Sequence, residues 1–169
     1  MSWFANSALR LPARVGALAH LRLPLFVFVA YWVSAEIALS VSTLSKEFFA
    51  PFWLSNAALS CALVYAPRRK WVCILAAIPA HVIIGIQIRL SVPQLSAAFL
   101  ANCALSILCA ETIERAIANA QPFLHLRNVV TAIVFVGFLW PALAALGGAL
   151  VPILGGSSYD HFWTYWFQW

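Results

Sequence analysis

The fold is decided by the stretch FFAPFWLSNAALSCALVYAPRRKW, residues 48–71. Its apolar part, residues 48–66, would form about 28 Å of helix, just enough to cross a bilayer core of about 30 Å. Arg68, Arg69 and Lys70 follow directly. Because this length leaves the helix little freedom to slide, we expect the basic triplet to fix which side of the membrane that end faces.

The composition of the whole chain indicates a membrane protein. Of its 169 residues, 64% are hydrophobic and 9% are charged. A soluble domain is about half apolar and about a quarter charged, so most of this surface must face lipid. The basic residues behind the net charge of +5 lie at the ends of apolar runs. They indicate topology anchors in a lipid bilayer and no nucleic-acid partner.

The apolar runs predict an all-α, polytopic transmembrane bundle. Residues 1–22 form a basic segment that we expect to lie flat on the cytoplasmic surface, and residues 23–169 form the bundle. The predicted spans cover residues 23–45, 48–66, 71–90, 94–115 and 128–150, followed by an incomplete sixth run from residue 162. We expect the bundle to be truncated at its C-terminal end.

Proline and small residues predict details within these spans. Pro79 should kink span three just before His81, and residues 91–93 should form a tight turn. Pro141 interrupts span five. Ala144 and Gly148, four residues apart, suit close packing of two helices.

The distribution of Lys and Arg predicts the orientation. With the N-terminus in the cytoplasm, only Lys46 and Arg89 fall outside. The remaining basic residues then lie inside, as the positive-inside rule favours. They are Arg10, Arg14, Arg22, Arg68, Arg69, Lys70, Arg115 and Arg127.

Polar residues near the middle of four spans are the candidate site: Glu36, Asn56, His81 and Asn102. An ionisable group at that depth costs about 2.5 to 3.5 kcal/mol on insertion scales, so it should face protein or water. Glu36 and His81 could share a proton, with the asparagines bonding around them. Such a cavity could bind a small polar ligand or report pH. The alternative is interhelical hydrogen bonds that merely hold the bundle together.

The sequence offers no catalytic constellation. It has no serine nucleophile with a base, no phosphate-binding loop and no carboxylate pair spaced for hydrolysis. We therefore predict that these residues are not an enzyme and need no cofactor and no metal. The four cysteines lie inside apolar runs, without metal-ligand spacing. Glu111 and Arg115, four apart, predict a local surface ion pair.

A series of short motifs resembles the MASE1 integral membrane sensory domain, over about residues 31–169. One departure is Leu54, where that family commonly has proline. The motifs, in order, are FWxxN (52–56), APRRxW (66–71), AxPAH (77–81), FLANC (99–103) with Glu111, LRNVV (126–130) and FWxxW (162–166).

The resemblance implies a sensory input domain in the inner membrane of a bacterium. Such domains precede histidine kinases or diguanylate cyclases in receptors that work as dimers, so it implies a homodimer and a cytoplasmic output domain. It also implies about eight spans, and leaves open whether the signal is a small ligand or a membrane partner protein. Two other interpretations remain from the residues alone: a transport component that uses Glu36 and His81, or a structural subunit of a larger membrane complex.

Overall fold

A computed structural model describes residues 13–45, 54–117 and 126–168, and it is helical throughout these ranges apart from short turns. Within these ranges, four stretches are long and apolar enough to cross a membrane, which marks the chain as a membrane protein. They are Leu21–Val41, Pro67–Gln87, Val92–Ala116 and Leu126–Leu154. The helices are α1 (Ala13–Ser45), α2 (Leu54–Tyr65), α3 (Lys70–Gln87), α4 (Val92–Ile117), α5 (Leu126–Val134), α6 (Trp140–Leu154) and α7 (Phe162–Gln168).

Helix α1 begins ten residues before the predicted start of span one. Residues 13–22 are its first turns, and the candidate span begins at Leu21, close to the predicted start, so the flat placement of the preceding turns stays a prediction. Residues 1–12 lie outside the described ranges. Alanine, leucine and arginine dominate residues 13–22, and their high helix propensity accounts for the extension. Pro24 lies inside the helix without ending it.

Helix α2 is the described part of the stretch that decides the fold. Its 12 residues make about 18 Å of helix, less than a bilayer core. Residues 48–53, which would complete the crossing, lie outside the described ranges. The C-terminal end is as predicted, because Pro67 disfavours helical geometry at Ala66, whose φ and ψ are −123° and 61°. A full crossing by residues 48–66 stays a prediction.

The turn between α3 and α4 comes earlier than the predicted position, residues 91–93. The amide of Leu90 donates to the carbonyl of Gly85 at 2.9 Å. Arg89 takes the left-handed conformation with a φ of 58°. This pattern is a Schellman helix end, with arginine at the position that glycine usually fills. Pro93 instead lies in the first turn of α4, where its missing N–H is harmless.

The fifth span is continuous from Leu126 to Leu154, and Pro141 does interrupt its regular geometry. A π-helical turn, Phe135–Leu139, precedes the proline. Proline has no N–H for the carbonyl four residues before it and its ring crowds that carbonyl, here of Gly137. The wider π turn accommodates this mismatch, and Trp140 donates to the carbonyl of Phe135 instead.

The helices pack in a chain of neighbours. Helix α1 lies against α2 and α3, α2 against α4, α4 against α6, and α6 against α7. The sixth apolar run forms α7, in which Trp166 Nε1 donates to the Ala142 carbonyl at 2.9 Å. A cluster of buried apolar side chains lies between α1, α2 and α3, and it includes Val27, Tyr31, Leu59, Leu63, Cys73 and Ala77.

Small residues bring α4 and α6 close together, as the sequence predicts for this part of span five. Of the predicted pair, Gly148 is buried and Ala144 is half-buried. A Cβ atom placed on the neighbouring Gly147 would lie only 3.2 Å from the Cβ of Ala101. Since Ala101 cannot rotate away, any larger side chain at position 147 would push the two helices apart.

The described basic residues collect at one end of the bundle, except Arg89. Leu23 and Arg69 line the same groove. The Lys70 side chain reaches α4 near its C-terminal end, where Glu111 accepts a bond at 2.7 Å. Asn128, beside Arg127, donates to the Ala116 carbonyl at 3.4 Å. This grouping is the one that the predicted orientation requires.

Candidate functional site

His81 lies at the contact of three helices and is almost fully buried. Its Nδ1 atom lies 3.2 Å from the Tyr31 hydroxyl of α1, and its Nε2 atom lies 3.2 Å from the Leu95 carbonyl of α4. A carbonyl only accepts, so Nε2 carries a hydrogen. In the neutral ring Nδ1 therefore accepts from the Tyr31 hydroxyl. One imidazole thus joins α1, α3 and α4.

Aromatic rings surround the same imidazole. The Phe99 ring centroid lies 5.0 Å away in a tilted arrangement, and the Tyr31 ring lies edge-on at 6.3 Å. Both His81 nitrogens are occupied, and aromatic side chains pack around the ring. The site therefore holds the imidazole in one orientation.

Asn56 and Asn102 form a second contact, between α2 and α4. The Asn56 Nδ2 atom donates to Asn102 Oδ1 at 3.1 Å, and both side chains are buried. The main-chain carbonyl of Asn56 accepts bonds from the hydroxyls of Ser60, at 2.7 Å, and Ser106, at 3.3 Å. Asn102 and Ser106 are four residues apart, so one face of α4 presents both groups to α2.

This amide pair retains unused hydrogen-bonding capacity. Asn56 Oδ1 and Asn102 Nδ2 are buried and make no hydrogen bond in the described part of the chain. The hydroxyl of Ser55 is also buried and also has no hydrogen-bond partner in the described part of the chain. Turning both amides around would leave the same surplus, one donor group and one acceptor. A buried polar atom without a partner costs about 1 to 3 kcal/mol, so a group that bonds to either atom would stabilise this contact.

Glu36 lies apart from these contacts. Its Oε1 atom accepts from Trp32 Nε1 at 3.0 Å and from Gln87 Nε2 at 3.0 Å. Gln87 is the last residue of α3, so Glu36 lies beside that end of α3 and away from His81, and its depth in the membrane stays a prediction. The cause of the separation from His81 is register: α1 packs parallel to α3 with Tyr31 beside His81, which places Glu36 more than a turn further along.

The predicted residues therefore form two clusters and an outlying carboxylate. The structure joins Asn56 to Asn102 but gives Glu36 and His81 different hydrogen-bond partners. Seven residues of α4 separate the Leu95 carbonyl from Asn102, about 10 Å along the axis. Glu36 and His81 do not bond to each other in this packing, so the structure does not support a proton shared between them.

Sequence reasoning missed Tyr31, Ser55 and Gln87. Tyr31 had a signal: it belongs to the buried series Val27, Tyr31, Ala35 and Ala38, whose spacing marks the packed face of α1. No sequence signal marked Ser55 or Gln87, because polar residues near helix ends are common.

A charged cluster lies at the basic end. Arg115 Nη2 lies 3.6 Å from Glu111 Oε2, which confirms the predicted pair. Lys70, predicted only as a topology anchor, bonds Glu111 at 2.7 Å and Glu114 at 3.0 Å. These bonds fasten the start of α3 to the last turns of α4.

The sequence matches no protein-family model. It is similar to no curated protein and to no solved structure at a significant level. A functional proposal for this chain therefore depends on its own geometry and on the short motifs in its sequence.

Proposed function

We propose that this chain is the membrane-embedded input part of a bacterial signal-transduction receptor. It lies in the inner membrane with its N-terminus in the cytoplasm. It passes a ligand or membrane signal to a cytoplasmic output domain outside this chain. The output domain that we propose is a histidine kinase. The motif series that resembles MASE1 domains supports the class, and the buried amide pair supports a site for the signal.

The observation that carries the proposal is the unpartnered donor and acceptor at Asn102 Nδ2 and Asn56 Oδ1. A small polar ligand that offers one acceptor and one donor would satisfy both. It would bind most tightly to the packing of α2 and α4 that holds these atoms at its own spacing. Binding would then shift the population toward that packing, which is how an input domain responds.

Helix α4 is the element that would carry the response. It contributes Asn102 to the amide pair, the Leu95 carbonyl to His81, and Glu111 and Glu114 to Lys70. A small movement of α4 at the amide pair would therefore also move its contact with His81 and its ion pairs with Lys70 at the basic end. Switching of this kind needs two packings that differ by only a few kcal/mol.

The first test is the reading frame after the Trp169 codon. A phosphoacceptor-histidine helix or a diguanylate cyclase segment would support the proposal, and a stop codon would contradict it.

The second test measures the output activity of the full-length protein in lipid vesicles. We expect Asn56→Leu with Asn102→Leu to change that activity at least about fivefold, which corresponds to a shift of about 1 kcal/mol between two packings. Cys61→Ala, at an exposed position of α2, is the matched control and should leave it unchanged. Equal output from both variants and the wild type would refute the amide pair as the input site.

The two alternative functions predict different experimental results. A transport component would catalyse uptake into vesicles, and its proposed pair, Glu36 and His81, lies in two separate hydrogen-bond sets. A structural subunit would co-purify in fixed stoichiometry with partners and would tolerate Glu36→Gln and His81→Asn. The motif series that resembles MASE1 domains favours the sensory proposal over both alternatives.

A further inference from the structure

A shallow groove of about 350 Å³ opens at the basic end of the bundle. Leu23 of α1 forms one part of its wall, and the end of α2 forms the rest with Tyr65, Ala66 and Pro67. Arg68 and Arg69 complete the lining. The groove is therefore mainly apolar, and two arginine residues form part of its lining.

The two arginines are available to an external anion. Lys70, the next residue, is already held by Glu111 and Glu114. Arg68 and Arg69 are exposed and form no ion pair within the described ranges. The carboxylates at this end are thus engaged elsewhere, and the positive charge of the groove is not neutralised.

The surrounding residues place the groove at the level of lipid headgroups. Tyr65 lines it and Trp71 directly follows the basic triplet in the first turn of α3, and the two side chains are 85% and 76% exposed. Tyrosine and tryptophan favour the membrane–water interface, where one end of the ring is dry and the other wet. A ligand at this level that carries both a phosphate and an apolar body is a membrane phospholipid.

We propose that this groove binds one anionic phospholipid. The phosphate lies against the guanidinium groups of Arg68 and Arg69, whose planar donors suit phosphate oxygens. The glycerol and the first acyl carbons lie against Leu23 and Tyr65. Basic pockets between transmembrane helices recognise anionic headgroups in this way. The proposal rests on the membrane placement of the bundle and is independent of any sensory role.

The test uses the full chain in nanodiscs of mixed phosphatidylcholine and phosphatidylglycerol, followed by native mass spectrometry of the lipid that stays bound. We expect phosphatidylglycerol to be enriched over phosphatidylcholine. Arg68→Gln with Arg69→Gln should lower that enrichment at least about tenfold. Nanodiscs expose both faces, so a change in membrane orientation cannot produce this result.

Two further variants separate a built site from general attraction to a basic surface. Ala66→Trp keeps both arginines but fills the groove, and we expect it to lose the enrichment too. Arg127→Gln removes an arginine at the same end, outside the groove, and should keep it. Wild-type enrichment in Ala66→Trp, or an equal loss in Arg127→Gln, would overturn the proposal. Displacement of the lipid by excess inorganic phosphate alone would also overturn it, because the site would then recognise only the anion.

Discussion

Replacing His81 with alanine is expected to lower the free energy of unfolding by about 2 to 4 kcal/mol. The change removes the bonds to the Tyr31 hydroxyl and the Leu95 carbonyl and leaves a cavity beside Phe99. It therefore weakens the packing of α1, α3 and α4 against one another. Reversible unfolding of the full chain in mixed micelles, followed by tryptophan fluorescence, measures the effect.

Two companion variants show whether the position and its hydrogen bonds are responsible. Ile86→Ala removes a large side chain from the same helix at a position that is 70% exposed, and it should change stability by less than about 0.5 kcal/mol. Tyr31→Phe removes one hydroxyl and should cost about 0.6 kcal/mol, the average for interhelical bonds in membranes, and at most about 1.7 kcal/mol. An equal effect of His81→Ala and Ile86→Ala would mean that the three-helix contact does not stabilise the bundle.

The second large effect is expected at the amide pair, as strong non-additivity. Asn56→Leu alone should cost about 1 to 3 kcal/mol, because it leaves both polar groups of the buried Asn102 amide without a partner. Asn102→Leu should cost a similar amount. The double variant should cost at least about 1 kcal/mol less than the sum, since two apolar side chains leave no polar atom of the pair unsatisfied.

The same unfolding assay completes this double-mutant cycle. Ser60→Ala is the matched control on α2, because it removes only a hydroxyl that bonds the Asn56 main chain and should add independently of Asn102→Leu. Additive costs for Asn56→Leu and Asn102→Leu would show that the two side chains do not interact. In that case the unpartnered polar atoms at this contact would no longer support a ligand site there.

Most of the helical organisation could be predicted because it is encoded locally. Pro67 ends α2 through its effect on the preceding residue, Pro141 disturbs span five through its missing N–H, and the series of small residues near Gly148 marks a close helix contact. Each of these effects acts within one or two turns of the chain. Helix α1 begins before span one because helix propensity continues through residues 13–22, and the flat placement of these turns on the membrane stays a prediction.

The arrangement of the site could be predicted only in part. Depth estimates from span midpoints bring Asn56 and Asn102 together correctly, but they also place Glu36 beside His81. Which faces meet depends on helix register and rotation, and these follow from packing between distant parts of the chain. The bonds from Lys70 to Glu111 and Glu114 illustrate this, since they join residues 41 and 44 positions apart.

Cysteine accessibility in cells tests most directly that the bundle crosses the membrane with its basic end inside. In a Cys61→Ala background the remaining cysteines are buried, and Pro67→Cys and Ser91→Cys place one exposed thiol at each end. Pro67→Cys leaves the basic triplet intact. We expect a membrane-impermeant maleimide to label Ser91→Cys in intact cells and Pro67→Cys only after the inner membrane is disrupted. Labelling of Pro67→Cys in intact cells, alone or together with Ser91→Cys, would contradict the orientation on which the proposed receptor depends.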